Sequence, residues 1–266
     1  MADSPSLVRL DRASDGVAVV TLTRAPARNA LSRAMIYTLT QTFAALGDDP
    51  SVRAVVLTAD GPVFSSGHDL KEITAARGDS DRGEAFFAET MGQCALFMRS
   101  LMDNPKPIIA AVEGVATAAG CQLVAACDLA VAGAHARFCT PGVNIGLFCS
   151  SPAVALSRNL SRKHAMEMLL LGDMIDAATA ARFGLVNRVA PAGEAETVAR
   201  AMAAQIAAKS REAIAFGKRA FYAQVDRDVA GAYAIASRTM TDNLLAADAQ
   251  EGIGALLGKR PPRWSV

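Results

Sequence analysis

The chain has 266 residues, 52% of them hydrophobic, and a formal net charge of +1. That length buries one large core or two small ones, and the near-neutral balance gives no reason to expect nucleic acid or an anionic membrane surface as the main partner. No apolar run approaches the roughly 18 residues of a membrane span, and the opening MADSPSLVRLD lacks the apolar centre of a secretory signal, so a soluble cytoplasmic protein is expected. The five cysteines form no Cys-x-x-Cys pair and read as reduced, mostly buried thiols. His68, His135 and His164 have no ligand spacing, so no metal site is expected.

Residues 7–10 and 17–23 alternate around Asp15-Gly16, the pattern of a two-stranded hairpin. Met35, Leu39, Phe43 and Leu46 recur at helical spacing over residues 33–46, and Asp48-Asp49-Pro50 stops that helix. Residues 52–58 read as a buried strand, and Asp60-Gly61-Pro62 turns the chain into VFSSGHDLKEI, a glycine loop running from a strand towards a helix. A polar insert at 77–82 precedes an amphipathic helix over about 84–102.

The central stretch IIAAVEGVATAAGCQLVAACD, residues 108–128, begins as a buried strand, passes through small residues at 115–120 and resumes helical spacing. Small side chains there let a ligand approach the main chain, and a helix start offers unpaired N–H groups with partial positive charge, suited to a developing oxyanion. Ala119 is the leading N–H donor. The alternative is that ATAAG only packs a helix tightly against a sheet. Beyond it, 129–132 and 137–138 read as short strands, 140–152 as an apolar loop, and 164–171, 177–183, 194–208 and the remainder to 257 as helices, with Gly172 and Gly184 as C-caps. The predicted organisation is a sheet-containing α/β core over residues 1–200 and a helical C-terminal region over 201–266.

SSGHDLKEI and VEGVATAAGCQLVAACDLAVA, together with RNALS, TPGVNIGL, LLLGDMIDAATAARFGLVNRV and EGIGALLGKRPPRW, resemble the enoyl-CoA hydratase/isomerase (crotonase) superfamily over nearly the whole chain. VFSSGHDLKE and TPGVNIGLFCS most resemble its domain-containing 3 subgroup. The resemblance implies a crotonase-like (ClpP/crotonase) spiral of repeated ββα units with a helical C-terminal region. It implies an acyl-coenzyme A thioester as ligand, with coenzyme A part of the substrate and no permanently bound cofactor. It also implies assembly as a homotrimer or a dimer of trimers. By position, the backbone N–H groups of His68 and Ala119 would hold the thioester oxygen. Arg28, Ala30, Ser66, Asp69, Leu70 and Lys71 would follow the nucleotide end of coenzyme A, and Lys259 would reach the coenzyme of a neighbouring subunit.

Hydration of an enoyl thioester needs two carboxylates near the α and β carbons. In the positions the family gives them stand Gln122 and Gly142, and neither exchanges protons near neutral pH. Two further carboxylate positions used by relatives fall at Cys149 and Ser150. Cys149 as nucleophile, the His68 ring as proton carrier and Glu113 are weak substitutes, and Asp69 with Lys71 reads as a helix cap or an adenine contact. Phe86, Phe87, Phe97 and Leu147 are expected at the pocket floor, and Met240, Leu244, Leu245, Ile253 and Leu256 at a subunit interface. Two functions compete: an acyl-CoA enzyme that stabilises an enolate or oxyanion, including decarboxylase or thioesterase chemistry, and a non-catalytic acyl-CoA binder or modulator. A purely structural oligomer is a third.

Overall fold

A computed structural model describes residues 6–265. The first five residues, part of the segment read above as lacking a secretory signal, lie outside the described residues.

The chain opens with an antiparallel hairpin, β1 (Val8–Arg12) and β2 (Val17–Leu22), whose turn uses Gly16 at φ +82°. Helix α1 (Arg33–Asp48) follows, capped by the Ser32 hydroxyl, which accepts from the Met35 N–H. Three strand-strand-helix units come next. They are β3 (Ala54–Ala59), β4 (Val63–Ser65) and α2 (Leu70–Ala76), with α3 (Glu84–Asp103) after them; β5 (Ile108–Val112), β6 (Val115–Thr117) and α4 (Ala119–Ala126); and β7 (Leu129–Gly133), β8 (Arg137–Cys139) and α5 (Ser150–Asn159), the last reached through a 3-10 turn at Pro141–Ile145. In each unit the first strand joins a six-stranded sheet and the second a four-stranded one. Helices α6 (Arg162–Leu171) and α7 (Ala177–Phe183) flank β9 (Ile175–Asp176), and β10 (Arg188–Ala190) completes the large sheet. The orders are β1-β2-β3-β5-β7-β10 and β4-β6-β8-β9. From β2 to β10 the large sheet is parallel.

Parallel strands with both faces covered read as continuous apolar runs. In β2 and β3 every second residue, Val17, Val19, Ala54 and Val56, packs under α8 (Ala195–Ala207), through Ala195, Ala199 and Met202. The alternate residues, Ala18, Val20, Val55 and Leu57, face α1, α3 and α4. Helix α8 therefore spans position 200 and belongs to the core. The change to an all-helical region falls after it, because its alanine face is what the sheet needs on that side.

Two expectations shift. Residues 115–117 form strand β6 where the sequence reads as a small-residue loop, and α5 begins at Ser150, three residues inside the apolar loop read over 140–152. A three-residue strand is too short to show a period, and its pairing with β4 and β8 is a tertiary property.

The C-terminal helices α9 (Arg211–Gln224), α10 (Val229–Leu245) and α11 (Ala247–Leu257) are fastened to the core by one buried cluster. Asp128 accepts from the Lys218 ammonium at 2.7 Å, the Tyr222 hydroxyl at 2.9 Å and the Ile108 N–H at 2.7 Å. Lys218 also donates to the Leu101 and Lys106 carbonyls. Burial pulls the Lys218 ammonium below its ordinary pKa, against the pull of Asp128. Helix α10 has no buried residue, and Tyr233, Met240, Leu245, Leu256 and Leu257 are exposed in this single chain. Among the described residues no helix is long and apolar enough to cross a membrane.

Candidate active site

Two loops, each leaving a strand of the small sheet for the start of a helix, meet at one point. After β4, the Ser65 hydroxyl donates to the Asn29 carbonyl and accepts from the Gly67 N–H. The Gly67 carbonyl accepts from the Leu31 N–H at 2.8 Å, which fixes the peptide leading into His68. After β6, the Ala118 N–H donates to the Cys139 carbonyl at 3.0 Å. Thr117 ties the loops together, its hydroxyl donating to the Ser66 carbonyl at 3.1 Å.

The approach is as close as backbones allow. A Cβ on Gly67, which has φ +83°, would lie 3.0 Å from the Ala119 nitrogen, and one on Gly120 would lie 2.2 Å from the Ser65 carbonyl oxygen. Ala118 sits at φ 51°, ψ −121°, a conformation that disfavours any residue with a Cβ. This strain turns the chain so that α4 starts with free donors. Ala119 is its first residue and has no intrahelical acceptor for its N–H, and the His68 N–H has no backbone acceptor among the described residues. Each loop thus carries one main-chain N–H without a backbone acceptor among the described residues.

Both loops open on a cavity of about 1540 Å³. Arg28, Ala30, Ser66, His68, Asp69, Leu70, Lys71, Ala119, Gly142, Cys149 and Ser150 all line it. Lys259 does not; it is exposed near the end of the chain at φ 51°. Arg28 and Lys71 have no ion-pair partner among the described residues and are free to meet an anion. Arg77, which the sequence reading placed only in the polar insert, also lines the cavity, with its guanidinium 5.8 Å from the Phe87 ring centroid.

Asp69 is the one carboxylate of that lining, and both its oxygens are engaged. One accepts from the Lys71 N–H and caps α2; the other holds Arg24 at 2.9 Å. Burial would raise its pKa, but the hydrogen bonds from Arg24 and the Lys71 N–H outweigh it and hold the carboxyl below the usual range. Arg24, which carries no sequence signal, is therefore the missed member of this group. Burial also lowers the pKa of the His68 ring, which is neutral at pH 7.

Gln122 and Gly142, where the resemblance places acid/base glutamates, offer no carboxylate. Gln122 is 4% exposed, stands behind the cavity wall rather than in it, and its Oε1 has no hydrogen-bond partner. Gly142 is in the wall, where a Cβ would lie 2.9 Å from Cys149 Sγ. Burial pushes the Cys149 thiol up, opposed by the Gly142 amide, so it is held as a thiol rather than a nucleophilic thiolate. Ser150 opens α5 and its hydroxyl reaches only the Phe148 carbonyl, at 3.4 Å.

Three expected residues lie elsewhere. Glu113 is committed to the N–H groups of Gly193 and Ala195 at the start of α8. Phe97 is fully buried against Phe43 in the core, and Phe86 lies beneath the Arg33 guanidinium outside the cavity. Residues 86 and 87 are neighbours on a helix and point about 100° apart, so only Phe87 reaches the site.

The alternating two-sheet spiral and the paired amide loops are those of the crotonase fold. Residues 12–266 match the enoyl-CoA hydratase/isomerase family, and the chain belongs to it. It is 46% identical over 254 residues to the rat protein named enoyl-CoA hydratase domain-containing protein 3, mitochondrial, covering 96% of this chain and 83% of that protein. A crystal structure of the human protein of the same name superposes with a TM-score of 0.92 at 42% identity, covering 97% of this chain and 100% of the other. One of an enoyl-CoA hydratase from Mycobacterium smegmatis does so with 0.93 at 47%, covering 97% and 99%. The subgroup read from the two loop motifs is the one the rat and human proteins are named for.

The cytoplasmic expectation is overturned by the same relatives, since the rat, mouse and human proteins are all named mitochondrial. A mitochondrial address is an amphipathic, arginine-rich segment, which neither an apolar secretory core nor a membrane-length apolar run would reveal.

Proposed function

We propose that the chain binds an acyl-coenzyme A thioester and stabilises the negative charge that develops on its carbonyl oxygen. What supports this is the close approach of Gly67 to the Ala119 nitrogen, with His68 and Ala119 both lining the cavity and neither N–H given a backbone acceptor. Two such donors aimed at one oxygen favour an enolate or tetrahedral oxyanion over the ground-state carbonyl, and each is typically worth roughly 3 to 4 kcal/mol. The cations Arg28 and Lys71 suit the phosphates of the coenzyme.

Ordinary hydration of enoyl thioesters is slow in this reading, because the one carboxylate lining the cavity is spent on Arg24 and the α2 cap. Reactions that need mainly charge stabilisation, decarboxylation of a malonyl-type thioester or thioester hydrolysis, ask less of missing acid/base groups. The rival reading, a binder or modulator without turnover, draws on the same cavity and on the high pKa of Cys149. Assembly as a trimer or dimer of trimers accounts for the uncovered apolar residues of α10 and α11.

The test is a panel of acyl-CoA thioesters incubated with the purified protein and read by mass, with crotonyl-CoA included. Rapid hydration of crotonyl-CoA would reject the slow-hydratase reading. Failure of every thioester, and of coenzyme A, to raise the melting temperature would reject ligand binding itself.

A further inference from the structure

The turn that carries Arg28 is laced to the loop that carries His68. The Ser66 N–H donates to the Arg28 carbonyl at 3.0 Å, the Ser65 hydroxyl to the Asn29 carbonyl at 2.9 Å, and the Leu31 N–H to the Gly67 carbonyl at 2.8 Å. Leu31 and His68 pair beyond them as a parallel bridge. The outer two links are main chain on both sides. The middle one depends on a side chain, since the Ser65 hydroxyl also accepts from the Gly67 N–H and so passes the contact on. Ser65 is fully buried behind the cavity wall, with its carbonyl against Gly120 at the start of α4.

Asn29 is its counterpart. Arg28 and Asn29 sit at φ 55° and 48°, two successive left-handed residues, a conformation asparagine tolerates and arginine does not favour. The surroundings impose it. The fully buried Asn29 amide donates to the Asp60 carbonyl at 3.0 Å and the Val63 carbonyl at 2.8 Å, on the turn that leads into β4. Both partners are acceptors, so the amide nitrogen must face them, and Oδ1 is left without a partner. Backbone strain of this kind persists where neighbouring contacts over-determine it, and it gathers at ligand clamps.

Resting on the acyl-CoA reading above, we propose that Asn29 and Ser65 are positioning residues that tie the nucleotide end of the cavity to its carbonyl end. A phosphate seated at Arg28 holds the 28–29 peptide, and Ser65 relays that hold to the peptide leading into His68. Binding energy from the remote nucleotide thereby goes into orienting a donor at the thioester oxygen. The leverage is large, because a misplacement of about 1 Å at a reacting centre costs about 10²-fold in rate.

The experiment uses the full-length protein and two thioesters of para-dimethylaminocinnamic acid, one with coenzyme A and one with pantetheine, which lacks the nucleotide. Hydrogen bonds to the carbonyl oxygen of this chromophore move its absorption to the red, so the shift at saturation reads donor alignment without any turnover. The coenzyme A thioester is expected to shift further than the pantetheine one in the unaltered protein. Ser65→Ala, which deletes one oxygen, and Asn29→Gly, which keeps the left-handed backbone but removes the amide, should each abolish that excess. Calorimetry should show the dissociation constant of coenzyme A itself rising no more than about fivefold, the worth of one ordinary hydrogen bond. Where Asn29→Gly melts below the assay temperature, Ser65→Ala decides. An excess shift that survives in Ser65→Ala makes the link merely structural and overturns the proposal. Equal shifts for the two thioesters in the unaltered protein overturn it as well, and leave the acyl-CoA reading standing. Bound thioesters that show no red shift at all overturn it together with the paired-amide site. Absence of binding by both thioesters and by coenzyme A sinks the underlying acyl-CoA reading, and the proposal with it.

Discussion

Gly67 and Ala119, 52 positions apart in sequence, meet so closely that a single methyl group on Gly67 would stand 3.0 Å from the Ala119 nitrogen. The first prediction follows from that contact. Gly67→Ala has to hold a side chain at φ +83° and spread the two loops, which in the proposed site would turn the amides away from a common oxygen. Losing one donor of such a pair costs about 10²-fold to 10³-fold in rate. Turnover of whichever thioester the panel identifies should fall by that order while the protein still folds by circular dichroism. Unchanged turnover would remove the two-amide site from the mechanism.

Ala118 holds the opposite kind of position, one where glycine would be at ease. Its φ of 51° and ψ of −121° cost on the order of 1 to 3 kcal/mol for a residue with a Cβ. Ala118→Gly should therefore raise the melting temperature. A drop would mean that the Cβ, packed against Gly67, gives more than the strain takes.

Gln122 leaves a buried amide oxygen without a partner. Replacing it by methionine keeps the volume and removes that deficit, so Gln122→Met should stabilise by about 1 kcal/mol in urea titration. Restoring both family glutamates is harder. A Cβ at Gly142 would meet Cys149 Sγ at 2.9 Å, the Leu147 carbonyl oxygen at 3.0 Å and the Cys149 nitrogen at 3.3 Å, so Gln122→Glu with Gly142→Glu should gain little hydratase activity even with Cys149→Ala added. Full activity from the double variant alone would show that the wall yields more readily than its packing implies.

Lys218 and Asp128 are a buried pair, with side chains 7% and 15% exposed. Lys218→Met strands the Asp128 charge and should cost about 3 to 5 kcal/mol. Because Lys218 sits on α9 and Asp128 in the core, the loss should show as early melting of the C-terminal helices. Uniform loss across the chain in hydrogen exchange would contradict that anchoring role.

At the C-terminus Glu251 binds Arg260 through two bonds and accepts from the Arg263 N–H, which lowers its pKa to about 2. A carboxyl with a depressed folded-state pKa contributes stability above its unfolded value, 4.5, and loses it as pH falls through about 2. The only tryptophan, Trp264, donates to the Ala208 carbonyl beside this cluster. Its fluorescence should therefore change over that acid window, and Glu251→Gln should abolish the change. Persistence of the transition in the variant would place its origin elsewhere.

The periodic elements were legible in the chain because their cause is local. The helical spacing of Met35, Leu39 and Phe43, the doubly buried strands and the Gly172 and Gly184 caps, at φ +68° and +93°, all sit where residue type demands. The central stretch also declared its helix start and its candidate donor Ala119. At Gln122 and Gly142, where the resemblance places acid/base glutamates, the residue types were equally plain, since an amide is neither acid nor base near neutral pH and glycine has no side chain.

Other features had no sequence signal because they are distances between remote segments. The three-residue strand β6 exists only by pairing with β4 and β8, and Arg24 matters only because the fold lays it on Asp69. Phe86 and Phe87 read alike as neighbouring aromatics, yet the turn of α3 sends one under Arg33 and the other into the cavity. The residue types alone thus determined that positions 122 and 142 carry no carboxylate. Packing decided which groups face the cavity, because a side chain's role depends on what lies within a few ångströms of it, and that is fixed by the whole chain at once.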